Sequence, residues 1–376
     1  MRELQFIRTG RLEWRERPDP ALQHAGDAIV RPFVAGRCDG DTMPIHRHVS
    51  RPMQIGIRAG LIDPVVATIC GPVPFQGPFG IGHECIAEVI DTGADVTNVR
   101  RGDYVVVPWA VSCGSCRECA RGLTAKCATT RTSTLAAFGF GPASGPWGGM
   151  VADRLRIPYA DHMLVRLPDG LDPLRVAAAS DNLADAWRCI VPSLAQRPGG
   201  SVLILGGAAQ SIGLYAAGLA VAHGAETVDY VDHRVERLEI AEKLGARAHP
   251  ARKGKLRRTD IPDRRYDIVV EGTSTAAGVD AGLRALEPGG ICTPVGYYLP
   301  PGTKVPLMHM YASDATLKIG VSHTRPVIPD LLDFVARTGF PAEQVTTLLA
   351  DWDEAPTAYV AHTTKLVLHR PPLATR

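Results

Sequence analysis

Short apolar or alternating runs, each closed by Gly, Pro or Asp, punctuate the first 168 or so positions of the chain. Asp27-Ala-Ile-Val-Arg-Pro-Phe-Val34, Ile86-Ala-Glu-Val-Ile90 and Tyr104-Val-Val-Val-Pro108 are β-branched and too brief for helices. They predict the strands of a mainly-β, barrel-like lobe. From about residue 172 the pattern changes, and Ala-rich stretches with helical spacing alternate with apolar runs. Strands are predicted at Ser201–Leu205, Val228–Val231, Tyr266–Val270 and Ile291–Val295, with helices at Ser211–His223, Arg234–Leu244 and Ala276–Leu286 between them. That alternation is the pattern of a doubly wound parallel sheet. Beyond about residue 318 a helix at Ile328–Ala336 and a strand at Lys365–Leu368 read as a return to the first lobe. The fold class is therefore α/β, with a Rossmann sheet (182–318) inserted in a mainly-β domain (1–181 and 319–376).

Composition narrows the function. A chain of 376 residues suits two domains, and 45% hydrophobic with 21% charged residues is ordinary for a soluble protein. A net charge of +2 offers no partner role for nucleic acid or an anionic membrane. The densest basic run, Arg252–Arg258 with Lys253, Lys255 and Arg257, reads as a solvated loop. No apolar stretch is long enough to cross a bilayer and the start of the chain lacks signal-peptide features, so a cytoplasmic, reducing setting is expected. Nine cysteines, an odd number, then point to metal rather than disulfides.

Cys113, Cys116, Cys119 and Cys127 form a C-x2-C-x2-C-x7-C cluster in a polar loop at about 110–130. Four thiolates can close a tetrahedral zinc site with no open position. A four-iron cluster takes the same donors, and unmetallated thiols are the third reading. Elsewhere three separated segments each offer one ligand: Cys38 in Gly36-Arg-Cys-Asp-Gly-Asp41, His83 in Gly82-His-Glu84, and Asp181 in Ala179-Ser-Asp-Asn182. Alone, each is as well explained as a buried core residue.

Their order gives them meaning. Cys38-x-x-Asp41, Gly-His-Glu, the four-cysteine lobe and a following Rossmann pattern together resemble the zinc-dependent medium-chain alcohol dehydrogenases, over essentially the whole chain. Gly102-Asp103 and Leu286-Glu-Pro-Gly-Gly290 fit the same frame. The resemblance implies a GroES-like catalytic domain and two zinc ions per chain. Cys113, Cys116, Cys119 and Cys127 would hold the structural ion, and Cys38, His83 and Asp181 the catalytic one. Asp as the third ligand is similar to the subgroup of glutathione-independent formaldehyde dehydrogenase. Asp41 would orient His83, and Glu84 would stand behind the metal as a transient ligand. The implied reaction is hydride transfer between a nicotinamide and an alcohol, aldehyde or ketone, with zinc activating the substrate oxygen. A small-molecule substrate and a homodimer or homotetramer follow from the same resemblance.

For the cofactor, Gly206, Gly207, Ile212 and Gly213 follow the first Rossmann strand, but Gln210 and Ser211 stand where the family keeps two more glycines. Asp232 lies 19 residues after Gly213, the place of a ribose grip, which favours NAD(H) with NADP(H) second. Arg237 and Arg234 weaken that preference, and Asp232 also suits a helix N-cap. Lys365 matches a position that reaches the pyrophosphate. Four departures stand out. Gly40 replaces a proton-relay hydroxyl, leaving Thr42, His46, His48, water or the substrate itself; Asp39 replaces a cation; Asp185 replaces a small hydroxyl residue; and His83 lies 45 positions after Cys38. Asp185 with Glu84 and Asp181 predicts an acidic pocket for a cationic or hydroxyl-rich substrate. The long insertion predicts a pocket wall or lid, with an interface as the alternative. Reduction of a C=C or iminium bond, and a catalytically silent binding protein, remain the competing functions.

Overall fold

A computed structural model describes residues 1–254 and 256–373, so Lys255 of the basic run lies outside the described residues. Its neighbours Arg252, Lys253, Arg257 and Arg258 are exposed, as a solvated loop requires. The chain divides into two compact units. One comprises Met1–Ala184, Ser322–Gly339 and Thr346–Arg376; the other comprises Asp185–Val321 and Phe340–Val345. The crossover falls inside the helix Asn182–Gln196.

The first unit opens with the hairpin β1 (Arg2–Arg8) and β2 (Arg11–Glu16). β3 (Ala28–Gly36) follows, then the short β4 (Phe79–Gly80) paired to β1, and β5 (Glu84–Thr92) antiparallel to β3. β6 (Tyr104–Val107) and β8 (Val165–Arg166) extend that sheet, while β7 (Leu155–Ile157) pairs with the start of β3. Leu4, Phe6, Val30, Val89, Val105 and Phe138 belong to its core. Both faces of β3 and β5 are buried over most of their length, which is why these strands read as apolar runs rather than strict alternation.

The second unit has a six-stranded sheet among the described residues. β9 (Val202–Leu205), β10 (Val228–Asp232), β11 (Arg247–Pro250), β12 (Tyr266–Glu271), β13 (Leu286–Pro294) and β14 (Thr316–Leu317) lie in the order β11-β10-β9-β12-β13-β14, all neighbours parallel. Helices Gln210–Ala222, Val235–Lys243 and Ala276–Arg284 make the crossovers. The last two strands, β15 (Leu348–Asp351) and β16 (Leu366–His369), belong to the first unit, and β16 pairs antiparallel with the end of β3.

The insertion between Cys38 and His83 folds as three short helices, Thr42–His46, Ser50–Arg58 and Val65–Cys70. Thr9 Oγ1 donates to Pro44 O at 3.1 Å and Ser144 Oγ to Ile69 O at 3.1 Å, anchoring it at both ends. Ile55 and Leu61 remain on its outer surface, 65% and 69% exposed.

Candidate active site

Two strand ends and the turn before the helix Asn182–Gln196 bring the first ligand set together. β3 delivers Cys38 two residues past its end, and the turn before β5 delivers His83. Ser180 fixes the third segment, since its hydroxyl donates to Cys85 O at 3.1 Å and accepts from Cys85 N at 3.0 Å. Asp181 is thereby held against β5. Cys38 Sγ and Asp181 Oδ2 are 3.0 Å apart, and His83 Nε2 lies 3.4 Å from the same oxygen. One ligand atom from each residue falls within 4.8 Å of the other two.

The donor set fits a divalent soft-to-borderline cation. His83 Nε2 is buried without a hydrogen-bond partner, a cost that an ion shared with Cys38 and Asp181 would remove. Burial, with Asp181 next, pushes the Cys38 thiol well up. Burial opposes protonation of His83, yet Asp41 and Asp181 carry it up to about 9. Thiolate and neutral imidazole are the ligand forms, so a cation between them would displace both protons. Sulfur, nitrogen and oxygen donors in a set of three, with a fourth position open, suit zinc. Asp41 Oδ1 stands 3.7 Å from His83 Nδ1, on the side expected of an orienting carboxylate but too long for a hydrogen bond.

Behind these ligands lies a buried polar network that sequence reasoning read differently. Lys365 was expected to reach a pyrophosphate; the structure corrects this. Its side chain has no exposure, and Nζ donates to Glu84 Oε2 at 2.5 Å, Asn182 Oδ1 at 2.9 Å and Arg37 O at 3.0 Å. An ammonium has three donors, and all are spent inside. Glu84 is held at its other oxygen by Asn182 N at 2.9 Å, so a swing toward the metal would break both contacts. Gly36 makes room for this pair, because a Cβ there would collide with Glu84 Oε2. Arg37 is 2% exposed and donates to the carbonyls of Tyr359, Ala361 and Thr363, pinning the segment that leads into β16.

Asn182, Ser180, Arg37, Trp109 and Phe140 are the residues that sequence reasoning missed. The Phe140 ring lies tilted against the His83 ring at 4.6 Å and against Trp109 at 5.5 Å between centroids, forming an aromatic wall beside the ligands. The only signal in the sequence was position: Asn182 directly follows a ligand, and Trp109 stands four residues before the first cysteine of the cluster. Of the relay candidates, Thr42 Oγ1 donates to Asp39 O at 2.6 Å, and His46 stacks 4.1 Å from His362. His48 is exposed. Asp185 ion-pairs with Arg188, so it does not add an uncompensated charge as expected; the acidic-pocket reading is corrected on that point.

The four cysteines of the lobe also converge, with their sulfurs within 4.8 Å of one another. Cys113 Sγ accepts from Thr129 Oγ1 at 3.2 Å and Cys116 N at 3.4 Å. Burial resists ionisation there, but these donors pull Cys113 down to about 6. Burial, with Cys116 and Cys127 beside it, pushes the Cys119 thiol up, so a cation would have to displace that proton; a fully closed quartet of sulfurs fits one metal ion with no position for substrate.

In the second unit, Gly206 and Gly207 form the turn after β9. A Cβ on Gly206 would collide with Asp232 Oδ2, and one on Gly207 would lie 2.6 Å from Thr273 Cα. Gly213 packs its helix onto β9 and β10, with Ile204 Cγ2 at 3.3 Å from a built Cβ, and Ile212 beside it is buried. Asp232 is where the structure departs from expectation. Its side chain has no exposure; Oδ1 accepts from His233 N at 2.6 Å and Arg234 N at 3.0 Å, and Oδ2 from Arg237 Nη1 at 3.0 Å and Tyr230 OH at 3.2 Å. Both oxygens are already engaged within the protein, and because Arg234 is the N-cap of the helix Val235–Lys243, Asp232 braces the turn before that helix and is neither a ribose grip nor its N-cap. Arg237 also donates to Gly207 O at 2.8 Å and Gln210 Oε1 at 2.6 Å, placing its guanidinium across the turn.

An open Cys-His-Asp set, a closed four-cysteine lobe and a doubly wound parallel sheet define a dehydrogenase of the zinc-dependent, two-domain class. Comparison with known proteins agrees. The alcohol dehydrogenase GroES-like domain matches residues 24–169, and the zinc-binding dehydrogenase domain matches residues 211–337. The chain is 28% identical to the "probable zinc-binding alcohol dehydrogenase" of Mycobacterium tuberculosis over 96% of its own length and 84% of that protein. It is 31% identical to a medium chain reductase/dehydrogenase of an Acremonium species, over 63% of this chain and 72% of that one. The alcohol dehydrogenase of Thermus sp. ATN1 superposes with a TM-score of 0.79 at 28% identity, covering 98% of this chain and 99% of the other. The chain belongs to the zinc-dependent medium-chain alcohol dehydrogenase family and is an oxidoreductase of that kind.

Proposed function

We propose that the protein holds two zinc ions and uses a nicotinamide dinucleotide to interconvert an alcohol with its aldehyde or ketone. The observation that carries this reading is the convergence of Cys38 Sγ, His83 Nε2 and the Asp181 carboxylate in a buried, three-donor set. Bound there, zinc would supply Lewis-acid polarisation of the substrate C–O bond, while the nicotinamide would take or give the hydride. The chain's residues do the rest. Trp109 and Phe140 wall the ligands with aromatic surface and limit water. With Gly40 lacking a hydroxyl and Thr42 committed to Asp39 O, the substrate proton leaves by water rather than by a side-chain relay. The same absence motivates a second reading, reduction of a C=C or iminium bond. Labelled hydride followed into product separates the two: label on a carbinol carbon supports the first, label on a carbon next to no oxygen the second.

The preference for NAD(H) rested on Asp232, which has no acceptor to spare. With Asp232 paired to Arg237, the exposed Arg234 leaves that rim cationic, so NADPH should bind at least as tightly as NADH. Fluorescence titration of both tests this; a tenfold preference for NADH, about 1.4 kcal/mol, would reject it. Metal analysis tests the main reading: two zinc per chain with turnover of alcohols supports it, and a single zinc with no turnover sinks it. A homo-oligomer is part of the proposal, with Leu307, Met308 and Tyr311 exposed on one helix near the sheet edge at β14. Light scattering that gives a monomer would remove it. Nine free cysteines and, among the described residues, no helix long and apolar enough to cross a membrane support a cytoplasmic setting.

A further inference from the structure

Asn182 is buried, follows Asp181 directly and touches two of the three ligands at once. Its Nδ2 lies 3.3 Å from Cys38 Sγ and 3.1 Å from Asp181 Oδ2. Its Oδ1 accepts from Lys365 Nζ at 2.9 Å and from Asp39 N at 3.2 Å. The amide orientation is fixed by chemistry: Lys365 Nζ and Asp39 N can only donate, so the oxygen must face them. The nitrogen must then face the sulfur and the carboxylate, which as metal ligands can only accept. A flipped amide would set two donors against donors and an oxygen against two anions.

We infer that Asn182 is a positioning residue for the metal centre, one that carries the Lys365 charge to the two anionic ligands and sets their geometry and donor strength. This rests on the reading of Cys38, His83 and Asp181 as a metal set. Without its N–H donors, the thiolate and the carboxylate, 3.0 Å apart, repel each other with less compensation. The thiolate also becomes the stronger electron donor, keeping the Gly40 N–H at 3.3 Å. The backbone contact from Asn182 N to Glu84 is independent of the side chain and survives substitution. Partners of metal ligands at this distance typically govern affinity by about 10–100-fold.

The test uses the full-length protein with zinc, and with cobalt as an optical probe. Asn182→Ala and the near-isosteric Asn182→Leu should both weaken zinc at the Cys-His-Asp set by about 10–100-fold in chelator competition. The cysteine quartet should keep its ion in both, and an unchanged circular dichroism spectrum shows that the fold survives. In cobalt-loaded protein, loss of the N–H···S bond raises the sulfur lone-pair energy, so the thiolate-to-cobalt charge-transfer band should move to longer wavelength. The wild-type-minus-variant difference spectrum cancels the quartet. A merely structural Asn182 would leave that band where it is. Folded variants with wild-type affinity and an unmoved band overturn the inference while leaving the metal site intact. Wild-type protein that takes up only the quartet's ion overturns the metal reading itself, and this inference with it.

Discussion

Lys365 and Glu84 form an ion pair with no exposure on either side chain. Two charges removed from water this completely are tolerated only because every donor and acceptor is used, so removing one partner strands the other. Lys365→Met should therefore destabilise the protein by about 3–5 kcal/mol in chemical denaturation. Lys365→Met with Glu84→Gln should recover a substantial part, because the stranded charge is gone. A double variant no better than the single one would mean that packing, not charge, is at stake. The pair also marks how far single residues could be read. Cys38, His83 and Asp181 were legible because their types and order match a known chemistry. Lys365 and Asp232 were legible as charged residues at familiar positions, but their partners come from β5, Asn182 and Arg237, and no local spacing announces those contacts.

Elements were legible in proportion to how uniformly they are buried. β9 is apolar and buried along its length and β12 over most of it, and their predicted bounds agree with the structure to within a residue. β11, with the sequence Arg-Ala-His-Pro, is a polar strand at the sheet edge, and the three short insertion helices lack any sustained period, so neither was visible. β12 also ends in a group with a pH signature. Burial pushes Glu271 up to about 7 from its ordinary 4.5, against hydrogen bonds from Thr273, and Tyr298 donates to it as well. A carboxyl whose pKa is raised by folding favours the native state while protonated. Its contribution is complete below 4.5 and is lost as pH rises toward about 7. Glu271→Gln should flatten that slope and stabilise the protein above neutral pH, by on the order of 1–3 kcal/mol. Melting curves recorded across that interval check it; parallel wild-type and variant profiles would assign the slope to other groups.

At the scale of the whole molecule, the two candidate metal sets differ in closure, and closure dictates the order in which they should empty. The cysteine quartet would spend all four coordination positions on sulfur, and N–H and O–H donors draw the Cys113 thiol down to about 6 while burial pushes Cys119 up. The Cys-His-Asp set offers three protein donors, and in the absence of metal its thiol and imidazole both favour protons. A chelator meets an open position at the second set and a saturated one at the first. Metal loss under a strong chelator should accordingly be biphasic. The first equivalent should leave with all dehydrogenase activity and little change in melting temperature. The second should leave slowly, with a fall in melting temperature, because the lobe from Cys113 to Cys127 is built of turns and one-turn helices and has its own cysteine cluster in place of an apolar core. Atomic absorption, activity and calorimetry on the same time course decide the matter. Simultaneous loss of both ions, or a melting temperature that drops with the first, would mean that the Cys-His-Asp set carries the fold as well as the chemistry.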